Sequence, residues 1–396
     1  MSNSIAIERF KEYCFYTILV YLFFNFCFTL FVIKEILLYF ALFLFFVFCI
    51  KFKRFPRTFL DKPIFLFLFW SFISIFYSID PGNALHDVRV YILMPIFLYY
   101  LINTVVDSKA KIQLIIYSIV VGAVFWCIIG LIYFFLIQHH KLFIDHFEFK
   151  HIHHCLYPFL TVPVFILSFH LLNIERQFKY KILYFISCFV LFFSTLLTLS
   201  RGGIIALVVS AFLFVIKRWK FIFYFLIILL FLIIISLKIQ NLDSRFRKIT
   251  CDPRFNIWLV SLYIIKDKPL TGWGFSGLSY SKIYQKYSQH QSFKFNIITK
   301  VNHPHNFFID IMVKLGITGL VIFLYLILKY LYLVKKLIYR QELFVKETSW
   351  ALFVATISII FCALYDNFWN RHIETLFFTL LGLQVVLFRI SFKFKS

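Results

Sequence analysis

Apolar runs recur along nearly the whole chain, and the longer ones carry enough consecutive Phe, Leu, Ile and Val to cross a hydrocarbon layer about 30 Å thick. A chain built this way is expected to be an all-α integral membrane protein. Composition agrees, since 62% of the 396 residues are hydrophobic and 58 are phenylalanine, whereas soluble chains are roughly half apolar. No short apolar core followed by a small-residue cleavage site opens the chain, so the first run is expected to remain as a span. Twelve spans follow, near 13–33, 36–50, 63–79, 89–106, 112–137, 156–173, 181–199, 202–216, 220–239, 307–334, 349–365 and 374–391.

The formal net charge of +23 could suggest a nucleic-acid partner, but in a chain of many spans the placement of charge matters more than its sum. With the N-terminus inside, more than half of the 41 basic residues fall in the segments 1–12, 51–62, 107–111, 174–180, 217–219, 335–348 and 392–396. The short loops opposite carry only Lys34, Arg89, Lys141, Lys150, Arg201 and Arg371. This is the positive-inside pattern, so both termini are expected in the cytoplasm and no nucleic acid is expected as a partner. The chain then divides into transmembrane helices one to nine (1–239), one large, partly helical periplasmic loop (240–306) and helices ten to twelve (307–396). Two short helices are expected in the loop, around 254–267 and 278–289, on either side of the turn P-L-T-G-W-G-F-S-G. A long structured loop among short ones is where function is expected.

Eight cysteines are scattered without close pairs. Cys14, Cys27, Cys49, Cys127, Cys188 and Cys362 lie in apolar runs and are expected to be buried; a bond between Cys155 and Cys251, near polar segments, stays open.

Candidate chemistry begins at 303–320, H-P-H-N-F-F-I-D-I-M-V-K-L-G-I-T-G-L. Pro304 holds His303 extended, so a helix can start only at His305 or Asn306. Extension also predicts that the His303 ring points away from the axis carrying His305. Asn is a good N-cap, and first-turn amides at the positive dipole end suit an anion. Gly316 and Gly319 are expected to admit a neighbouring helix. Arg201 in T-L-S-R-G-G, Arg254 in C-D-P-R-F-N-I-W and Arg89 stand at span or loop-helix edges. An arginine at membrane depth implies a buried partner or an anionic ligand, although one at an edge can also snorkel to headgroups. Gly272, Gly274 and Gly277 are spaced as G-x-G-x-x-G but lack a βαβ setting, so they read as a tight turn. His139, His140, His146, His151, His153 and His154 could bind Zn²⁺ or Cu²⁺, yet their spacing fits no closed site and solvated histidines explain them as well. In D-N-F-W-N-R-H-I-E, Asp366 could orient an imidazole, pair with an arginine or merely cap a loop.

In this order the features resemble the superfamily of O-antigen ligases and O-antigen polymerases, polytopic membrane glycosyltransferases. The ligase pattern of His, Asn/Ser/Gln, nine residues, Gly, two residues and Gly is met by His305, Asn306, Gly316 and Gly319. The run R-F-N-I-W-L-V-S-L-Y-I-I-K-D-K-P-L-T-G-W-G-F-S-G resembles the family's Arg-x-x-x-Trp helix and Pro-Leu-x-Gly-x-Gly turn, and S-R-G-G its other arginine. The resemblance implies inverting transfer of a glycan from undecaprenyl diphosphate to a sugar hydroxyl of lipid A–core, on the periplasmic face of a bacterial inner membrane, with neither metal nor other cofactor. It makes His305 the general base and Arg201 and Arg254 the diphosphate ligands, with His303, Asn306, Arg89, Asp366, Gly272 and Gly274 in support. Bottom-up chemistry points the same way. Imidazole is the side chain suited to deprotonate a hydroxyl near neutrality, and guanidinium forks across phosphate oxygens. An O-antigen polymerase or a protein O-oligosaccharyltransferase would share this chemistry and differ in acceptor. A secondary transporter is the rival from another class, but no paired broken spans are evident.

Overall fold

The computed structural model describes residues 2–27, 31–52, 55–137, 139, 156–215, 253–290 and 301–392. Among them every regular element is helical, the all-α class expected. The helices are α1 (Ser2–Phe24), α2 (Phe31–Phe52), α3 (Asp61–Phe76), α4 (Pro81–Val88), α5 (Met94–Val105), α6 (Lys109–Ile132), α7 (Pro158–Ile174), α8 (Phe178–Leu197) and α9 (Arg201–Val215). After these come α10 (Pro253–Asp267), α11 (Gly277–His290), α12 (Phe307–Ile338), α13 (Leu343–Ala363) and α14 (Arg371–Phe392). Single π turns, Arg89–Leu93 and Tyr133–Ile137, join α4 to α5 and extend α6.

Among the described residues, seven stretches are long and apolar enough to cross a membrane: Val32–Lys51, Pro81–Val105, Lys109–Ile137, Phe178–Leu197, Phe307–Ile338, Leu343–Ala363 and Arg371–Phe392. Shorter apolar helices cover Pro158–Ile174 and Arg201–Phe214. The ninth expected span, 220–239, lies outside the described residues, as do Cys155, Cys251 and five of the six clustered histidines, all but His139. Two boundaries differ from expectation. Hydropathy predicts one span over 13–33, but α1 ends at Phe24, the chain turns through Asn25, and α2 begins at Phe31. Hydropathy cannot see a turn within F-N-F-C-F; the lone Asn25 was the signal. The fourth span starts eight residues early, at Pro81, because Asp80 caps the helix by accepting from Asn83 N–H.

α14 is the central helix. It packs on α5, α12 and α13, and 78% of its most apolar stretch is buried, against 33% for α2 and for α8. Every residue from His372 to Phe388 is buried, polar Glu374, Thr379 and Gln384 included, so α14 is enclosed on all sides, whereas α2 and α8 present Ile50, Phe185 and Phe189 outward. Charges near helix ends are put to use. The Arg389 guanidinium donates to Val106 O at 2.6 Å and to Asn103 O, satisfying carbonyls at the end of α5.

α10 and α11 form a second, smaller core. Ile257, Val260, Ile264, Tyr280 and Tyr284 pack against Val301 and Val313 of the following segment. Both helices fall within a residue of the expected limits; α10 packs on α12, and α11 on α10 and α4.

Candidate active site

α12 is broken. Gly316 sits inside it with φ 70° and ψ −175°, a conformation glycine adopts freely and side-chain-bearing residues avoid. Into the break fits the glycine-rich turn between α10 and α11. Trp273 N–H donates to Val313 O at 2.8 Å, Gly274 N–H to Lys314 O at 2.9 Å, and Ile317 N–H to Pro269 O at 2.8 Å. Trp70 of α3 supplies the remaining donor, its Nε1 reaching Leu315 O at 2.9 Å. Backbone groups that a break would orphan are thus paired within protein, the condition under which irregular backbone is tolerated in an apolar setting. A Cβ on Gly316 would lie 2.2 Å from Leu270 O, and one on Gly272 2.6 Å from Gly316 N. The expectation that Gly316 and Gly319 admit a neighbouring helix is therefore corrected. A turn approaches at Gly316, while a Cβ on Gly319 would meet Leu315 of its own helix.

At the head of α12 the cap is as expected. Asn306 Oδ1 accepts from Phe308 N–H at 3.0 Å and Ile309 N–H at 3.1 Å, and its amide donates to Leu364 O at 3.1 Å. That last bond ties α12 to the loop joining α13 and α14. The same loop receives two further helix starts. Arg254, opening α10, donates from Nη1 to Tyr365 O at 2.8 Å. Tyr365 also lies against Gly202, the second residue of α9, where a Cβ would come within 2.8 Å of it; Ser200 caps that helix by accepting from Gly203 N–H. Three helix N-termini, carrying Arg201, Arg254 and His305, therefore meet one short loop. Their positive dipole ends and the two guanidinium groups make this region suited to an anion.

His305 precedes the cap with φ 51°, a left-handed conformation that is uncommon outside glycine and costs of the order of 1–3 kcal/mol. It is held there by Asp366, whose Oδ1 accepts from Nδ1 at 3.0 Å. His303 was expected to point elsewhere. Instead its ring centroid lies 4.2 Å from that of His305, and its Nε2 is 3.5 Å from the same Asp366 oxygen. Extension at Pro304 fixes the His303 backbone but leaves the side chain free to fold back over the turn. Asp366 also accepts from Asn367 N–H at 2.7 Å, and Trp258 Nε1 holds Pro304 O at 2.9 Å.

Burial pushes the Asp366 carboxyl up, but the hydrogen bonds and charges of His303 and His305 outweigh it and hold the group well below the usual carboxylate range. An ionised carboxylate can only accept, so Nδ1 of His305 is the nitrogen that donates to it, and in the neutral ring Nε2 is the one with the lone pair. Among the described residues Nε2 has no hydrogen-bond partner. The arrangement is that of an imidazole oriented by a carboxylate and open on its other nitrogen. His303, His305 and Asp366 also bring one ligand atom each within 4.8 Å of one another, so two imidazoles and a carboxylate could hold a divalent ion with a position left open.

Of the supporting residues, Asn306 caps α12, while Gly272 and Gly274 serve the break. Arg89 stands apart on an exposed face. Missed altogether was a buried polar network beside the site, in which Lys34 Nζ lies 3.0 and 3.1 Å from the two ring nitrogens of His372 and Arg371 pairs with Glu35 at 2.6 Å. The sequence signal was Lys34–Glu35 inside an apolar run.

Residues 186–324 match the O-antigen ligase family model, so the resemblance read from the motifs holds for the part of the chain that carries them. Two relatives are provisionally named polysaccharide ligases. The one from Rickettsia felis is 27% identical over 292 residues, 68% of this chain and 67% of its own. The one from Rickettsia typhi is 28% identical over 308 residues, 72% of this chain and 69% of its own.

Proposed function

We propose that the protein is an O-antigen-type ligase, moving a glycan from undecaprenyl diphosphate to a sugar hydroxyl of lipid A–core on the periplasmic face of the inner membrane. The observation that carries this reading is the 3.0 Å contact from Asp366 to His305 Nδ1, at a loop where Arg201 and Arg254 also converge. In this reading Nε2 of His305 removes the proton from the acceptor hydroxyl as its oxygen attacks the anomeric carbon. The bond from that carbon to the phosphate oxygen breaks, and the diphosphate leaves with the electron pair. Attack opposite the leaving group inverts the anomeric centre. Arg201 and Arg254 stabilise the departing charge with forked donors, beside the three helix N-termini. His303 borders the same carboxylate and serves the acceptor side.

Ligase and polymerase share the transfer step and differ in the acceptor. The experiment is a transfer assay with purified protein in lipid nanodiscs, offering a lipid-linked glycan together with lipid A–core or with a second lipid-linked repeat. Glycosylated lipid A–core is the expected product. Elongated lipid-linked glycan would reassign the protein as a polymerase, and absence of both products would overturn the reading.

A further inference from the structure

Two residues before the break in α12 stands Lys314, a buried cation that the proposed chemistry leaves unused. A lysine at the edge of an apolar span ordinarily extends its stem until the ammonium reaches water. This one does not. Its side chain is 6% exposed, and Nζ lies 2.7 Å from Oδ2 of Asp310, itself 1% exposed. Replacing a buried ion pair by apolar side chains of similar volume often leaves stability unchanged or raises it. Stability alone is therefore a weak reason for this pair to be here.

What the pair touches supplies another reason. Main chain and side chain of Lys314 grip the same glycine-rich turn. Its carbonyl accepts from Gly274 N–H at 2.9 Å, and Nζ stands over the Phe275 ring, 5.2 Å from the centroid. Nζ is also 5.7 Å from the ring centroid of Trp369, in the loop joining α13 and α14, and the two rings meet edge to face at 4.7 Å. A desolvated ammonium is attracted to both aromatic faces. From Trp369 a run of hydrogen bonds leads to the imidazole. Trp369 N–H donates to Asn367 Oδ1 at 3.1 Å, Asn367 N–H donates to Asp366 Oδ1 at 2.7 Å, and the same oxygen accepts from His305 Nδ1 at 3.0 Å. The Trp369 ring also packs on Phe307, two residues after His305, with centroids 5.3 Å apart. Lys314 is thus linked through one tryptophan to both sides of the carboxylate–imidazole contact.

We infer that Lys314, paired with Asp310, is a positioning residue: it clamps the Phe275 turn to the Trp369 loop, so that Asp366 is presented to His305. It touches no reacting atom. The assignment deepens the ligase reading and rests on it for the reaction that the clamp serves. An apolar residue at this place would fill the space, but would give the two rings and the Asp310 carboxylate no common point on which to orient.

The test replaces the pair in the full chain, Lys314→Met with Asp310→Leu, so that neither charge is left without the other. Glu374, which also feels the Lys314 charge, keeps that of Arg371. In lipid nanodiscs kcat for transfer is expected to fall about ten-fold, since small displacements of a reacting group are costly in rate. KM for the lipid-linked donor and the melting midpoint should stay near wild type. Added to Asp366→Asn, the replacement should cost at most about two-fold more, because both changes act on one contact. Full multiplication of the two losses would overturn the inference. Trp369→Leu leaves the ion pair whole and should reproduce the loss in kcat; it decides the question if the double variant does not fold. Wild-type kcat in either variant would also overturn the inference. Hydrogen exchange read by mass spectrometry needs no transfer: the Asn367 and Trp369 amides should exchange about ten-fold faster in the pair variant, and an unchanged rate would remove the clamp. Faster exchange at those amides, in a protein whose wild type transfers nothing, would sink the ligase reading and leave the clamp standing.

Discussion

Two histidines stand near the loop that joins α13 and α14, and their surroundings are opposite. His372 is 7% exposed, and both of its ring nitrogens lie within hydrogen-bond distance of Lys34 Nζ, with Asn25 O also against Nδ1. Its backbone is engaged too, since His372 O accepts from the Asn25 amide at 3.1 Å. The His305 side chain is 29% exposed, and Asp366 engages one nitrogen. Polar bonding alone therefore does not mark a reactive imidazole. What separates the two is an unengaged nitrogen, access, and a strained backbone that the surroundings hold in place. One histidine staples α1, α2 and α14; the other is poised at a helix mouth.

The comparison can be broken most directly by His305→Ala. Transfer should fall by about a hundred- to ten-thousand-fold, the usual range for a general base, while binding of the lipid donor and the melting midpoint persist. Normal transfer in that variant would remove the mechanism. Next come Arg201→Ala and Arg254→Ala, each expected to lower transfer on the order of a hundred-fold, with Lys restoring only part of it. Asp366→Asn should act through the imidazole and cost less than His305→Ala. The carboxylate is held ionised in the folded protein, so its contribution is present above its unfolded value of about 4 and is lost only in strong acid, as pH falls through its lowered folded value. Between pH 5 and 9 its charge is therefore constant. Any acid loss of transfer belongs to another group, and removing the carboxylate should move that limb to lower pH. An unmoved limb would detach Asp366 from the imidazole.

Smaller effects sharpen the contrast. EDTA should leave transfer within about two-fold if His303, His305 and Asp366 act as a hydrogen-bonded set; loss restored by Zn²⁺ would show that they hold a metal. His372→Phe should lower the melting midpoint, because a buried Lys34 without its partner costs roughly 1–3 kcal/mol, yet leave transfer per folded molecule near wild type. A variant with normal stability and no transfer would place both histidines in the chemistry.

Much of this is legible in the sequence. Period and caps located α10 and α11 to within a residue, because short helices bounded by Pro253, Pro269 and Gly277 have clear local signals. The Asn306 cap followed from Pro304, which leaves His305 or Asn306 as the start, and from the N-cap preference of Asn. Sequence could not rank the roles open to Asp366, since its partners lie 61 residues or more away. It misplaced the His303 ring because φ and ψ preferences say nothing about χ1. The same limit hid the break at Gly316. A G-x-x-G pair reads identically whether a helix or a turn approaches, and only the matching glycines at 272 and 274 hinted at a partner. The Lys34–His372 contact spans 338 residues, beyond any local pattern.

The break in α12 also bears on how the chain reaches its folded form. A helix with unpaired carbonyls at Val313, Lys314 and Leu315 is a poor substrate for hydrocarbon, where each unmet group costs several kcal/mol. The donors that meet them come from Trp70, Trp273 and Gly274, all of which precede α12 in the chain. During synthesis the partners are made before the segment that needs them. Biogenesis can therefore proceed from N- to C-terminus without stranding the break, whereas a circular permutation that made α12 first would leave it waiting in lipid for its own completion.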